Sequence, residues 1–354
     1  MKLVYNVSDR PTAGKLVVFA IQQLLAIMAA TLVVPVIVGH EMSPAAALFG
    51  AGVGTLVYIL FTKKKSPVFL GSSFAFLGSM AAAFTGGVSI ALGYLGLIIG
   101  AACAGLVYVI IAAVVKVAGV NWINKLMPPI VIGPTVAIIG LSLAGNAVGD
   151  MTSGGLKTYT DVITTVTNSS TSEIIEATES TLSASVASAP IAVLCGLVTL
   201  LTIVIASVYG KKSGKLFPFV YGILAGYAFS SVLTVIGNVA DINALKVVDY
   251  SALKALFADG VSLSSFLSVP NFTFLSAFGA FDELSVSYVL AIAVAYVPVA
   301  FVVFAEHIAD HKNLSSIIES DLLEDPGLSR TLLGDGVGSF AGALFGGCPN
   351  TTYG

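Results

Sequence analysis

Nine stretches of mostly apolar residues, each of the length a helix needs to cross a bilayer, follow one another along this chain. A hydrocarbon core is spanned by about 20 such residues. The runs predict helices over 15–39, 44–62, 67–85, 91–117, 128–148, 187–208, 216–239, 284–308 and 331–347, and a tenth begins near Pro349. Only 16 basic and 19 acidic side chains are spread over 354 residues, too few to coat a water-soluble body and too few for a disordered one. A net charge of −3 offers phosphates no basic surface, so nucleic acid is not expected as a partner. Cys103, Cys195 and Cys348 lie far apart in apolar surroundings and suggest neither a disulfide framework nor a zinc site. The expectation is an all-α polytopic membrane protein whose solvent is the lipid bilayer. Its first run is too long for the core of a signal peptide and has no cleavage site, so it is expected to be retained.

The basic residues orient the spans. With the amino terminus in the cytoplasm, 13 lysines and arginines fall on the inner side and 3 (Lys157, Lys246 and Lys254) on the outer, as the positive-inside rule requires. Two outer loops are long. Residues 149–186 are rich in Ser and Thr, and 240–283 hold short apolar pieces; both read as solvated connectors, with one helix lying on the membrane surface.

A motif recurs. The second span holds Gly50-Ala-Gly-Val-Gly-Thr-Leu56 and the ninth Gly334-Asp-Gly-Val-Gly-Ser-Phe340, and small residues so spaced let helix backbones approach closely. Each is followed by a segment that interrupts regular helix: Leu70-Gly-Ser-Ser-Phe-Ala-Phe76 after the first, Gly347-Cys-Pro-Asn-Thr-Thr-Tyr-Gly354 after the second. The copies stand seven spans apart and so enter the membrane in opposite directions. Paired interrupted segments in inverted repeats point to a transporter's midplane site, because irregular backbone at that depth must line a cavity or be buried in protein. The plainer alternative is a pair of ordinary glycine kinks.

The eighth span is the expensive one. It runs almost wholly apolar to Phe304 and then reads Ala305-Glu306-His307-Ile308-Ala309-Asp310-His311. A charge at a helix centre costs about 2.5–3.5 kcal/mol on insertion scales. Glu306 and Asp310 share one face, and His307 and His311 an adjoining one. Three readings stand: polar residues reaching cytoplasmic water; a membrane metallohydrolase using His307, Asp310 and His311, spaced like an H-x-x-E-H metal motif; or a buried carboxyl that holds substrate and proton. The second lacks the Glu needed as base and a third ligand.

Ser72-Ser73-Phe74-Ala75-Phe76, Ala305-Glu306-His307, Asp325-Pro326-Gly327 and Pro349-Asn350-Thr351-Thr352-Tyr353-Gly354 together resemble the uracil permease branch of the nucleobase–ascorbate transporter family. The resemblance runs along the whole chain; a purine or xanthine carrier of the same family is the alternative. It implies no enzyme, cofactor or metal, but fourteen spans in two inverted sets of seven, with short extended stretches in broken spans 3 and 10. Some ten of those spans fall in this chain; four more, and a second carboxylate, would follow Gly354. A core domain is expected over 1–119, a gate domain over 120–283, and the core continued over 284–354. Carried over residue by residue, Glu306 binds the base and takes part in proton coupling, with Asp310 and His307 as further candidates; Phe74, Tyr353, Gly354 and Ala30 line the pocket. A histidine that some members carry four residues after the core Glu is replaced here by Asp310. The implied activity is import of uracil with a proton across the plasma membrane, by alternating access of core against gate, in an assembly that is often a dimer through the gate.

Overall fold

The computed structural model describes residues 5–155, 157–167, 174–210, 218–258, 260–262, 265 and 269–353. Its helices fall where the apolar runs do: α1 (Ala13–Val38), α2 (Pro44–Phe61), α3 (Leu77–Ala83), α4 (Ile90–Ala118), α5 (Asn121–Leu126), α6 (Pro129–Ser142), α7 (Ala144–Thr152), α8 (Ala189–Tyr209), α9 (Pro218–Val239), α10 (Ser251–Leu256), α11 (Thr273–Ala277), α12 (Val286–Ile318) and α13 (Leu328–Gly346). Among the described residues six helical stretches are long and apolar enough to cross a membrane. α13 is less apolar, and the third expected span is broken into a strand, β1 (Phe69–Ser72), and the short α3.

Local chemistry sets several starts. The hydroxyls of Ser43, Ser89 and Ser285 accept hydrogen bonds from the N–H groups of Ala46, Leu92 and Tyr288 at 3.2, 3.1 and 3.2 Å, each satisfying an amide that the first helical turn leaves unpaired. α12 is longer than expected and runs ten residues past 308, to Ile318. It closes at Glu319, which adopts a left-handed conformation (φ 55°).

The chain divides into two compact units, Met1–Leu141 with Val269–Gly354, and Ser142–Ser268. The divisions lie at 141/142 and 268/269, against the 119/120 and 283/284 expected for the domains.

In the first unit α13 lies between α2 and α4, and the two glycine motifs meet. A Cβ placed on Gly54 would stand 2.7 Å from the carbonyl oxygen of Gly338, and one on Gly338 would stand 2.7 Å from that of Gly54. Gly50 faces Gly342 and Gly346, while Gly334 faces Tyr58, so α2 and α13 cross antiparallel with backbone against backbone. On its other side Gly336 of α13 meets Gly105 of α4 in the same way. α12 packs on α3 and α4 through Ile292, Tyr296 and Phe304, with the Tyr296 ring stacked on Phe76 at 5.4 Å.

Both interrupted segments are extended. β1 pairs antiparallel with β4 (Asn350–Tyr353), with Phe69 opposite Tyr353 and Ser72 opposite Asn350, and the Ser73 amide continues the ladder to the Pro349 carbonyl at 2.9 Å. Each strand thereby satisfies backbone groups that lipid could not.

In the second unit α8 and α9 pack through Gly222 and Gly226 of α9, which face Thr199 and Ile203. Thr234 ties α9 to the loop beyond it, its hydroxyl accepting from the amides of Val247 and Val248 at 3.1 and 3.0 Å. The loop expected over 149–186 contains an antiparallel hairpin, β2 (Lys157–Thr167) with β3 (Ile174–Ser185). The alternation of threonine with valine and isoleucine there favours extended backbone more than a Ser/Thr-rich composition suggests.

Candidate functional site

β1 and β4 bring together small polar residues that helices would keep apart. Ser72, Ser73, Asn350, Thr351 and Thr352 are all buried. Gly71 is required here, since a Cβ would meet the Tyr353 ring at 2.6 Å and the Thr31 hydroxyl at 3.1 Å. The Tyr353 hydroxyl donates to the Ser72 carbonyl at 2.7 Å, which fixes the ring across the strand pair.

The polar stretch of α12 faces this pair and α13. Thr352 of β4 donates its hydroxyl hydrogen to Asp310 Oδ2 at 2.8 Å. Glu306, one turn earlier, is half-buried; its Oε2 is fully enclosed and has no hydrogen-bond partner. Glu306, Asp310 and Asp335 lie within electrostatic reach of one another, and Tyr353 within reach of Glu306 and Asp310. An enclosed carboxyl oxygen without a partner carries the full cost of its lost hydration, which a ligand that donates a hydrogen bond would relieve.

Of the residues singled out from sequence, Glu306 and Tyr353 come together and Asp310 joins them. Phe74 is half-buried just beyond β1 and packs on the main core. Ala30 is half-buried on α1, one residue before Thr31, whose enclosed hydroxyl has no partner. Gly354 lies outside the described residues.

His307 and His311 do not reach water: each is 0% exposed. Nδ1 of His307 stands 2.6 Å from Asp335 Oδ2, and its Nε2 3.0 Å from the Thr331 hydroxyl. His311 Nδ1 donates to the His307 carbonyl at 2.8 Å, while its Nε2 meets the Tyr58 hydroxyl at 2.7 Å, and that hydroxyl also meets Ser66 at 2.7 Å. All four ring nitrogens are therefore engaged, and Asp310 turns instead to Thr352, so the three groups of the metallohydrolase reading do not converge. No cluster of three His, Cys, Asp or Glu fit for a metal occurs among the described residues.

Asp335, 1% exposed, is not among the residues singled out from sequence, because glycines dominate its motif. The signal was present: an acid inside a membrane helix is as costly at 335 as at 306. Tyr58, Tyr108 and Thr352 gave no such signal, since each is ordinary in an apolar run. A cavity of about 10 Å³ lies among Tyr108, Asp335, Ser339 and Asn350. It is room for one water molecule and not for a flat organic ring.

The profile of the permease family matches residues 14–178 and 171–354. The uracil permeases of Bacillus caldolyticus and Bacillus subtilis are each 35% identical over the whole of this chain, which covers 68% of their length. The uracil permease of Escherichia coli K12 is 30% identical over 99% of the chain and 66% of its own length.

Proposed function

Because this chain belongs to the permease family, as a polytopic membrane transporter and not an enzyme, we propose that it imports uracil by proton symport. The observation that carries the reading is Glu306: an acid on an apolar helix, with an enclosed and unpartnered oxygen, beside two broken segments joined as strands.

Uracil is flat and uncharged, with two N–H donors and two carbonyl acceptors. A neutral solute gains nothing from the membrane potential, whereas a proton moving with it brings about 2.3 kcal/mol per 100 mV. The carrier then needs a buried group that takes up and releases a proton, and Glu306 is that group, with Asp310 one turn further along the same face. The Glu306 carboxyl pairs with the imide edge of the base. Backbone N–H groups of the two broken segments reach its carbonyl oxygens, Phe74, Tyr353 and Ala30 wall the pocket, and the resemblance adds Gly354 to them. Selectivity follows because a wrong ligand leaves these groups unpaired in a dry site.

Residues 1–119 and 284–354 form the core and 120–283 the gate of an inverted seven-plus-seven repeat, and alternating access moves core against gate. The protein resides in the plasma membrane with its amino terminus in the cytoplasm and dimerises through the gate. The test is radiolabelled uptake by cells carrying the parent chain or Glu306→Gln. The variant should reach the membrane yet lose uracil accumulation by more than about tenfold; accumulation at the parent's level would end the proposal.

A further inference from the structure

The hydrogens around His307 can be counted. Thr331 Oγ1 stands 3.0 Å from the Leu328 carbonyl and 3.0 Å from His307 Nε2, and its single hydroxyl hydrogen serves one of the two. The other nitrogen, Nδ1, faces Asp335 Oδ2 at 2.6 Å, and that contact is attractive only with a proton in it. Without one, an imidazole lone pair would point at a carboxylate oxygen in a site almost wholly closed to water. With it, the two side chains share that hydrogen, whether it sits on nitrogen or on oxygen.

The neighbouring ring is committed as well. A carbonyl only accepts, so His311 Nδ1 carries its hydrogen toward the His307 carbonyl; its Nε2 is left to accept from Tyr58, which in turn accepts from Ser66. The two rings stack at 4.0 Å, where a second positive charge would be repelled. The titratable groups that surround His307 and Asp335 are Tyr58 of α2, Tyr108 of α4, and Glu306, Asp310 and His311 of α12. Both rings are held by hydrogen-bond partners, while Glu306, like Tyr108, keeps an enclosed oxygen unpartnered.

We propose that His307 and Asp335 hold one proton between them throughout the transport cycle and act as a positioning pair, fixing α12 on α13 so that Glu306 stays beside β1 and β4. The proton that travels with substrate is then another one. This rests on the reading of Glu306 as the coupling acid, but part of its test does not.

In Asp335→Asn the amide can still pair with His307 Nδ1, its NH2 donating or its oxygen accepting, whereas Asp335→Ala leaves Nδ1 unpaired. In proteoliposomes holding the full chain, Asp335→Asn should take up uracil within about threefold of the parent and with an unshifted pH profile; Asp335→Ala should lose about tenfold or more. Without ligand, the melting temperature should fall for Asp335→Ala and hold for Asp335→Asn. ¹⁵N spectra of histidine-labelled parent should show His307 unchanged across the pH range of uptake. A shifted profile or lost accumulation in Asp335→Asn, titration of His307 in that range, or an Asp335→Ala protein as stable as the parent would each overturn the proposal. Melting and ¹⁵N readouts need no uracil transport, so they decide the matter even if the parent carries none.

Discussion

Tyr58 holds the far end of a buried polar chain, and its hydroxyl has two partners, His311 and Ser66. Tyr58→Phe keeps the ring and leaves His311 Nε2 without a donor. Chemical or thermal unfolding should show a loss of about 1–3 kcal/mol, with uracil uptake reduced no further than the folded fraction. Lys65 gives the opposite expectation. Its ion pair with Asp325 is 2.7 Å long, but the two side chains are 51% and 64% exposed. Lys65→Ala should change stability by about 1 kcal/mol or less, in the same assay. Residues of the site were unequally legible in sequence. Glu306 stood out because an acid ending an apolar run is expensive, and Phe74 and Tyr353 came from the resemblance. Asp335 and the commitments of His307 and His311 are properties of packing: which face of α12 meets α2 and which meets α13 depends on long-range contacts that a helical period does not encode.

Among whole elements, the spans are legible because each is a continuous apolar run, and the broken third span because glycine, serine and aromatics replace aliphatics there. Two elements are not. α12 extends past 308 because its polar residues find partners in α2, α13 and β4, so the end of apolarity is not the end of the helix. The β2–β3 hairpin departs from the expected linker because its threonines act as β-branched residues and not only as polar ones. The glycine crossing supplies a sharp test. A side chain at Gly54 meets Asn350 and the Gly338 backbone, while Gly52, in the same motif, has nothing within 4 Å. Gly54→Val should cost about 3 kcal/mol or more and deplete folded protein in size-exclusion profiles; Gly52→Ala should leave those profiles unchanged.

For the whole molecule the proposed sidedness and energy source can be measured together. A cysteine at Lys64 should react with a membrane-impermeant thiol reagent only in inside-out vesicles, and one at Lys254 only in right-side-out vesicles. The protein's own cysteines interfere little, since Cys195 and Cys348 are buried and Cys103 is half-buried. A proton ionophore should abolish uphill accumulation of uracil while exchange of labelled for unlabelled uracil persists. Accumulation that survives the ionophore would point to another driving ion.

The reciprocal approach of Gly54 and Gly338 bears on genetics as well as on packing. When a bulky residue damages an ordinary interface, a second mutation that trims the opposing side chain can restore it. Here the facing helix offers main chain on both sides, already as small as the code allows, and the side chains also in reach, Asn350 at Gly54 and Leu70 at Gly338, belong to other elements. A screen for compensating alleles of a Gly54 or Gly338 lesion in the facing helix should therefore come back empty.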